Sequence, residues 1–219
     1  MASPAPQWKD NSDDIIITLP HNIIVRSYRP TDAPSLSHHG NNKKIWNNLR
    51  NRMPHPYLET DAEAWISHCN SPSQHVRSGP YNPQTSTSSG PPIPTNYTIS
   101  IHGRAAGSIG LEFGSALDVY ARVAELGYWL GEEYWGKGVM GVVVPAFVEW
   151  AWRTFGRLVR INACVVVNNV GSKKALERAG LVEEGRKRWA FVKNGVLRDE
   201  VLMGMVRVEE VAVEDVLPA

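Results

Sequence analysis

Three glycines at 136, 138 and 141 stand where an aromatic, β-prone run passes into an apolar helical one, in the segment Glu125-Leu-Gly-Tyr-Trp-Leu-Gly-Glu-Glu-Tyr-Trp-Gly-Lys-Gly-Val-Met-Gly141. Glycine lets main-chain N–H groups crowd inward, and several such amides at a helix N-terminus bind phosphate or pyrophosphate with help from the helix dipole. The spacing satisfies G-x-G-x-x-G, yet at least three predicted strands precede it, so an opening βαβ dinucleotide unit fits poorly. No Gly-Lys-Ser/Thr follows for a Walker loop. A tight connection in which glycine merely avoids a clash is the competing reading. Asn169 precedes a short helical segment and suits an N-cap. Ser172, three residues on, carries a hydroxyl that could serve chemistry or bond its own backbone. Lys173, Lys174 and Arg178 could meet phosphates or form a solvated face. Cys69 and Cys164 lack CxxC spacing and read as reduced, buried thiols of a cytoplasmic protein. His38, His39 and His68 show no ligand-like spacing, so no metal is expected.

These groups need a scaffold. Ile15–Leu19 and Ile23–Tyr28 read as short strands split by Pro20 and His21. A helix N-capped by Thr31 or Asp32 follows, with Ile45, Trp46 and Leu49 on its apolar side. Thr60-Asp-Ala-Glu63 fits a capping box opening a second helix that turns Ala64, Trp65 and Cys69 inward. Residues 71–95 are loop-formers at 17 of 25 positions, counting Pro, Ser, Thr and Gly, and read as an ordered lid or a floppy insertion. Tyr97–Ile101 and Ala106–Phe113 form a hairpin around His102-Gly103-Arg104, and Ala124–Leu130 is a further strand. The helix after the glycines buries Val139, Val142, Val143, Ala146, Phe147, Trp150 and Ala151, with Pro145 kinking it near Gly141. A strand at 159–167, a helix at 171–179 and a hairpin across Asn194-Gly195 complete the order. Residues 1–14 and 209–219 read as tails. The pattern predicts one α/β (α+β) domain at 15–208 on a mixed sheet.

Charge narrows the function. Lys and Arg total 23 against 22 Asp and Glu, a net charge of +1, which supplies no field for nucleic acid or an anionic membrane. No apolar run approaches a membrane span and no signal-peptide core opens the chain. Any bound anion must be gripped locally.

The central segment resembles the acyl-CoA-binding motif of the GNAT superfamily of N-acetyltransferases, near its RimJ/RimL-like branch. Asn169-Val-Gly-Ser172-Lys-Lys-Ala-Leu-Glu-Arg-Ala-Gly180-Leu resembles the family's N-x-x-S-x-x-x-L-E-x-x-G-F element, and Gly195-Val-Leu-Arg-Asp199 its closing hairpin. Arg26-Ser-Tyr-Arg-Pro-Thr-Asp-Ala33 and Pro54-His-Pro-Tyr57 are similar to its amino-terminal part. The resemblance covers about residues 15 to 208. It implies a single GNAT-like domain whose mostly antiparallel central sheet is flanked by helices, acting as an N-acetyltransferase. Trp stands at 135 where the family often has a basic or amide residue, and Met at 140 where it has a small one.

By that resemblance, acetyl-CoA is the cosubstrate, held by Trp135, Gly136, Lys137, Gly138, Val139, Met140, Gly141, Asn169 and Ser172, with Asn169 bonding its pantetheine arm. A main-chain N–H near Trp129 or Leu130 would face the thioester oxygen. An alkyl amine has a pKa of about 10.4 and must lose a proton to attack; Glu125 is the expected base, with Glu112 in reserve. Many relatives protonate the departing thiolate with a Tyr that here is Leu176, which leaves Ser172 as a substitute acid. The expected reaction is direct attack of a primary amine in a ternary complex. The alternatives are a non-catalytic CoA-binding module and a transferase of longer acyl groups. The expected partner is an amine acceptor, small molecule or protein, bound by a monomer or homodimer. Its selection is expected from residues 40–58, the 71–95 loop and the last hairpin.

Overall fold

The computed structural model describes residues 14–116 and 118–207, and the backbone of Gln7–Trp8. Gln7–Trp8 (β1), inside the stretch expected to be a tail, pairs with Ile15–Leu19 (β2). The rest of that stretch up to residue 13, and the expected tail at 209–219, lie outside the described residues. A turn at His21-Asn22, both at positive φ, joins β2 to Ile23–Arg26 (β3).

The single helix expected after β3 is two: Ala33–Gly40 (α1) and Lys43–Trp46 (α2). Asn42 interrupts them, its side-chain oxygen accepting from Lys44 N at 2.8 Å as the N-cap of α2, so Leu49 falls beyond both helices. Asp32 caps nothing ahead of it. Its carboxylate accepts two bonds from Arg26, at 2.7 and 2.8 Å, and one from Arg29 N at 2.8 Å. Both partners of that ion pair are buried. Helix α3 (Glu59–Asn70) starts before the expected box: Asp61, not Glu63, accepts from Leu58 N at 2.8 Å. Its buried residues are Ala62, Ile66 and Cys69, while Ala64 is exposed and Trp65 half-buried.

Residues 71–95 are ordered as two small ladders, Val76–Arg77 (β4) with Pro92–Ile93 (β7) and Tyr81–Asn82 (β5) with Thr87–Ser88 (β6). Asn96–Ile101 (β8), Arg104–Phe113 (β9) and Val123–Leu130 (β10) follow. Helix α4 (Val139–Thr154) leads to Arg160–Val166 (β11), helix α5 (Val170–Arg178), and the long hairpin of Val182–Lys193 (β12) and Val196–Val206 (β13).

The nine-stranded sheet runs β1-β2-β3-β8-β9-β10-β11-β13-β12, antiparallel except for β10 beside β11. Period-two alternation sends alternate side chains of each strand to opposite faces. Ala124, Leu126 and Leu130 join the main core with Val143, Phe147 and Ile161 under α4 and α5, whereas Trp129 packs with Tyr28, Leu36, Tyr57 and Ile66 under α1 and α3. Helix α4 is apolar on more of its circumference than one face: Val144 and Val148 are buried too. Val142, expected inside, is 42% exposed. The helix is continuous through Pro145, whose missing N–H leaves the Gly141 carbonyl without its helical donor.

The 71–95 insertion docks at the C-terminal end of α4. Gly79 N donates to Thr154 O at 2.8 Å and Gly156 N to Gly79 O at 3.1 Å. A helix of 16 residues puts this junction about 24 Å from the glycine turn.

Candidate active site

The parallel ladder between β10 and β11 consists of three registered pairs, Val123 with Arg160, Ala124 with Ile161 and Glu125 with Asn162. Beyond Glu125 the two strands part, while β10 remains paired with β9 along its length to Leu130. A wedge-shaped gap therefore opens in the middle of the sheet. Antiparallel pairing alternates which residues bond across the ladder. Gly131 N donates to Ala106 O and Gly114 N to Val123 O, so the odd-numbered residues of β10 turn their main chain to β9. Trp129 is among them, and its amide is not the donor to the gap that its position in the motif suggested. Tyr128 and Leu130 turn theirs toward the gap; the Leu130 carbonyl accepts from Trp135 Nε1 at 2.7 Å, which confirms its direction.

That indole bond also sets the glycine turn above the gap. Gly136 and Gly138 have φ of +71° and +77°, a region in which an L side chain is strained. A Cβ on either would meet no atom within 4 Å, so the demand for glycine is conformational and the space before the turn is open. The amides of Gly136, Lys137 and Gly138 have no acceptor among the described residues, and those of the first turn of α4 lack helical partners by construction. Val139 anchors the helix start in the core, Met140 packs against it, and Trp135 and Lys137 remain exposed. A Cβ at Gly141 would strike the guanidinium of Arg178, which places that cation over the first turn of α4. Lys173 is already paired with Glu183 at 2.5 Å. These features fit a pyrophosphate-bearing ligand: free amides, a helix N-terminus, an open approach and a nearby guanidinium.

Across the gap, Asn169 caps α5, its Oδ1 accepting from Ser172 N at 3.1 Å. Its side-chain NH2 has no acceptor among the described residues. The Ser172 hydroxyl does not bond its own helix; it meets the Tyr128 hydroxyl at 2.8 Å, and that phenol also lies 3.1 Å from Ser172 O. Burial pushes the Tyr128 phenol up to about 12, with the Ser172 bond working against it. Leu176 is fully buried and packs into the main core. Tyr128, to which the sequence analysis gave no role, is thus joined to the expected acid; its even position on β10, two residues from Leu130, was the available signal.

Glu125 sits at the fork, directly opposite Glu112 of β9. Arg50 Nη2 donates to Glu125 at 2.6 Å, and Arg52 Nη1 to Glu112 at 2.9 Å. Cys164, expected buried like Cys69, is only half-buried; its thiol is raised by burial and then by Glu200 and Glu125, and it shares this electrostatic environment. Near the turn, His39 lies 3.4 Å from Glu133; burial lowers its pKa, against the pull of Glu133. No group of three or more His, Cys, Asp or Glu placed to hold a metal occurs among the described residues, and no described helix is long and apolar enough to cross a membrane.

A strand pair parted around a gap, an amide-rich turn above it and a carboxylate at its fork make up the candidate cleft. Residues 22–182 match the model of the acetyltransferase (GNAT) domain, and the chain belongs to that family. It is 33% identical over 93 residues to the Bacillus subtilis protein named "Putative ribosomal N-acetyltransferase YdaF", a match covering 42% of this chain and 50% of the relative. The chain thus spans about half the length of the curated relative it matches. Among solved structures, the ribosomal-protein-S5-alanine acetyltransferase from Vibrio fischeri superposes with a TM-score of 0.68 at 18% identity, covering 90% of this chain and 98% of the other. RimJ of Mycobacterium smegmatis, solved in complex with CoA-disulfide, gives 0.65 at 20% identity, over 84% and 81%. These neighbours share the mixed sheet and its flanking helices.

Proposed function

We propose that this chain is an N-acetyltransferase that moves the acetyl group of acetyl-CoA onto a primary amine by direct attack in a ternary complex. The observation that carries it is the parting of β10 from β11 immediately beyond Glu125, beneath a turn of free amides. The thioester supplies the acetyl group and a thiolate that can leave. The amides of Gly136 to Gly141 hold the pyrophosphate, with Arg178 beside them, and Asn169 uses its free NH2 on the pantetheine arm. Trp135, Lys137, Val139 and Met140 shape the turn; Trp129 contributes its ring to the wall, its main chain being committed to β9. The gap-facing amides of Tyr128 and Leu130 are the donors for the oxygen on which charge develops.

Glu125 takes the proton from the acceptor's ammonium, directly or through one water. Ser172, bonded to Tyr128, donates toward the departing sulfur; a thiol near pKa 8.5 also leaves readily as the anion. The acceptor amine reaches Glu125 from the α1–α3 side, where the turn at 47–53 and the tip of the last hairpin meet. The names of the ribosomal-protein acetyltransferases among its relatives favour a peptide or protein amino terminus as that acceptor. Free-thiol release from acetyl-CoA with a panel of amino-terminal peptides and small amines tests the reading, and calorimetric titration with acetyl-CoA tests the cosubstrate alone. Failure to bind acetyl-CoA would overturn it.

A further inference from the structure

On the acceptor side of the sheet, a contact stands in the way of the chemistry just assigned. The turn between α2 and α3 lays Arg50 on Glu125 and Arg52 on Glu112. Two carboxylates directly opposite on neighbouring strands repel one another, and the guanidinium groups offset this. The turn is tied down from the other side by the β12–β13 hairpin. Lys193 Nζ donates to Leu49 O at 2.9 Å and Asn51 Oδ1 at 2.8 Å, and lies 3.6 Å from the centre of the Trp46 ring. Asn194 Nδ2 donates to Asn47 Oδ1 at 2.9 Å. Lys193 is 4% exposed, and its bonds go to neutral acceptors, so the hairpin commits a buried cation to fixing this turn. Arg50, by contrast, is 60% exposed. Between Ile45 and Tyr57 no side chain is fully buried, although Met53 packs against the α1–α3 core, so the exposed Arg50 can leave Glu125 without unpacking a fully buried side chain.

We propose that Arg50 is a positioning residue that gates Glu125: its guanidinium occupies the carboxylate an acceptor's ammonium must reach, Lys193 straps the turn in that closed place, and acceptor binding exchanges one cation for the other. The inference rests on Glu125 being the proton acceptor. Both cations donate to the same carboxylate, so the exchange is nearly balanced and the internal cation raises the amine concentration needed for half-saturation without altering the chemical step. Because the competition is between charges, it applies to any primary amine.

Steady-state kinetics with n-butylamine and an alanine-initiated peptide test this on four variants. Arg50→Gln should lower KM for the amine about two- to fivefold, the range an exposed ion pair is worth, with kcat and the KM for acetyl-CoA held. Arg50→Lys should keep the parent KM, because it keeps the competing charge. Lys193→Met, which leaves Arg50 intact but frees the turn, should shift the amine KM in the same direction as Arg50→Gln. Glu125→Gln separates the two readings. If it abolishes turnover while Arg50→Gln leaves the amine KM unchanged or raises it, the gate is wrong and the base stands; if it keeps parental turnover, the base is wrong and the gate falls with it.

Discussion

Glu125 draws its chemical interest from position. It is the last residue of β10 with a partner on β11, so its carboxylate stands where the sheet opens. A general base contributes typically 10²- to 10⁴-fold, and Glu125→Gln should reduce thiol release by at least about a hundredfold while calorimetry finds acetyl-CoA affinity retained. His39 supplies a second test at this scale. Its folded pKa is depressed, first by burial and partly restored by Glu133. Above the unfolded value of about 6.5 both states are neutral and the contribution is whole. As pH falls through 6.5 the unfolded chain takes up the proton first, so stability declines until the folded-state pKa is passed. Urea denaturation between pH 7.5 and 5 should show a steeper loss for the parent than for His39→Gln.

At the scale of elements, the proposed site rests on β10, the glycine turn and α4 taken together. Gly138 is the N-cap of α4 at φ +77°, and alanine in that left-handed region costs about 1–2 kcal/mol. Gly138→Ala should lower thermal stability by that order and weaken acetyl-CoA binding, because relief of the strain rotates amides away from the ligand. Val142→Ala, on the exposed side of the first turn, should leave acetyl-CoA affinity near parental. The helices on the opposite face show how local signals mislead. A continuous helix from 31 to 49 matched the apolar spacing, but Asn42 could cap a new start and Asp32 was drawn away by the buried Arg26. Short capping signals are ambiguous until tertiary partners compete for the same side chain.

Across the whole molecule, two cores on opposite faces of one sheet serve different ends. The α4–α5 side carries the glycine turn and Asn169; the α1–α3 side delivers Arg50 to Glu125. The insertion at 71–95 closes the far end of α4 through Gly79 and Gly156. A Cβ at Gly156 would come within 2.6 Å of Gly79 O, so Gly156→Ala should loosen the insertion. Limited proteolysis should then cut within 71–95 faster than in the parent, with acetyl-CoA titration unaffected, since that junction lies a helix length from the glycine turn.

The amino-acid sequence by itself determined the features whose signals are local: hairpins at His102-Gly103 and Asn194-Gly195, the apolar run of α4, the glycines at 136 and 138, and the cap at Asn169. Each depends on residues within a few positions of one another, where backbone preference and periodicity decide. Only the tertiary structure decided that Arg50 reaches Glu125 across 75 positions, that Tyr128 joins Ser172 across 44, and that Leu176 faces core. Those outcomes follow from strand register and from where β10 and β11 part, and register is set by the packing of both faces together.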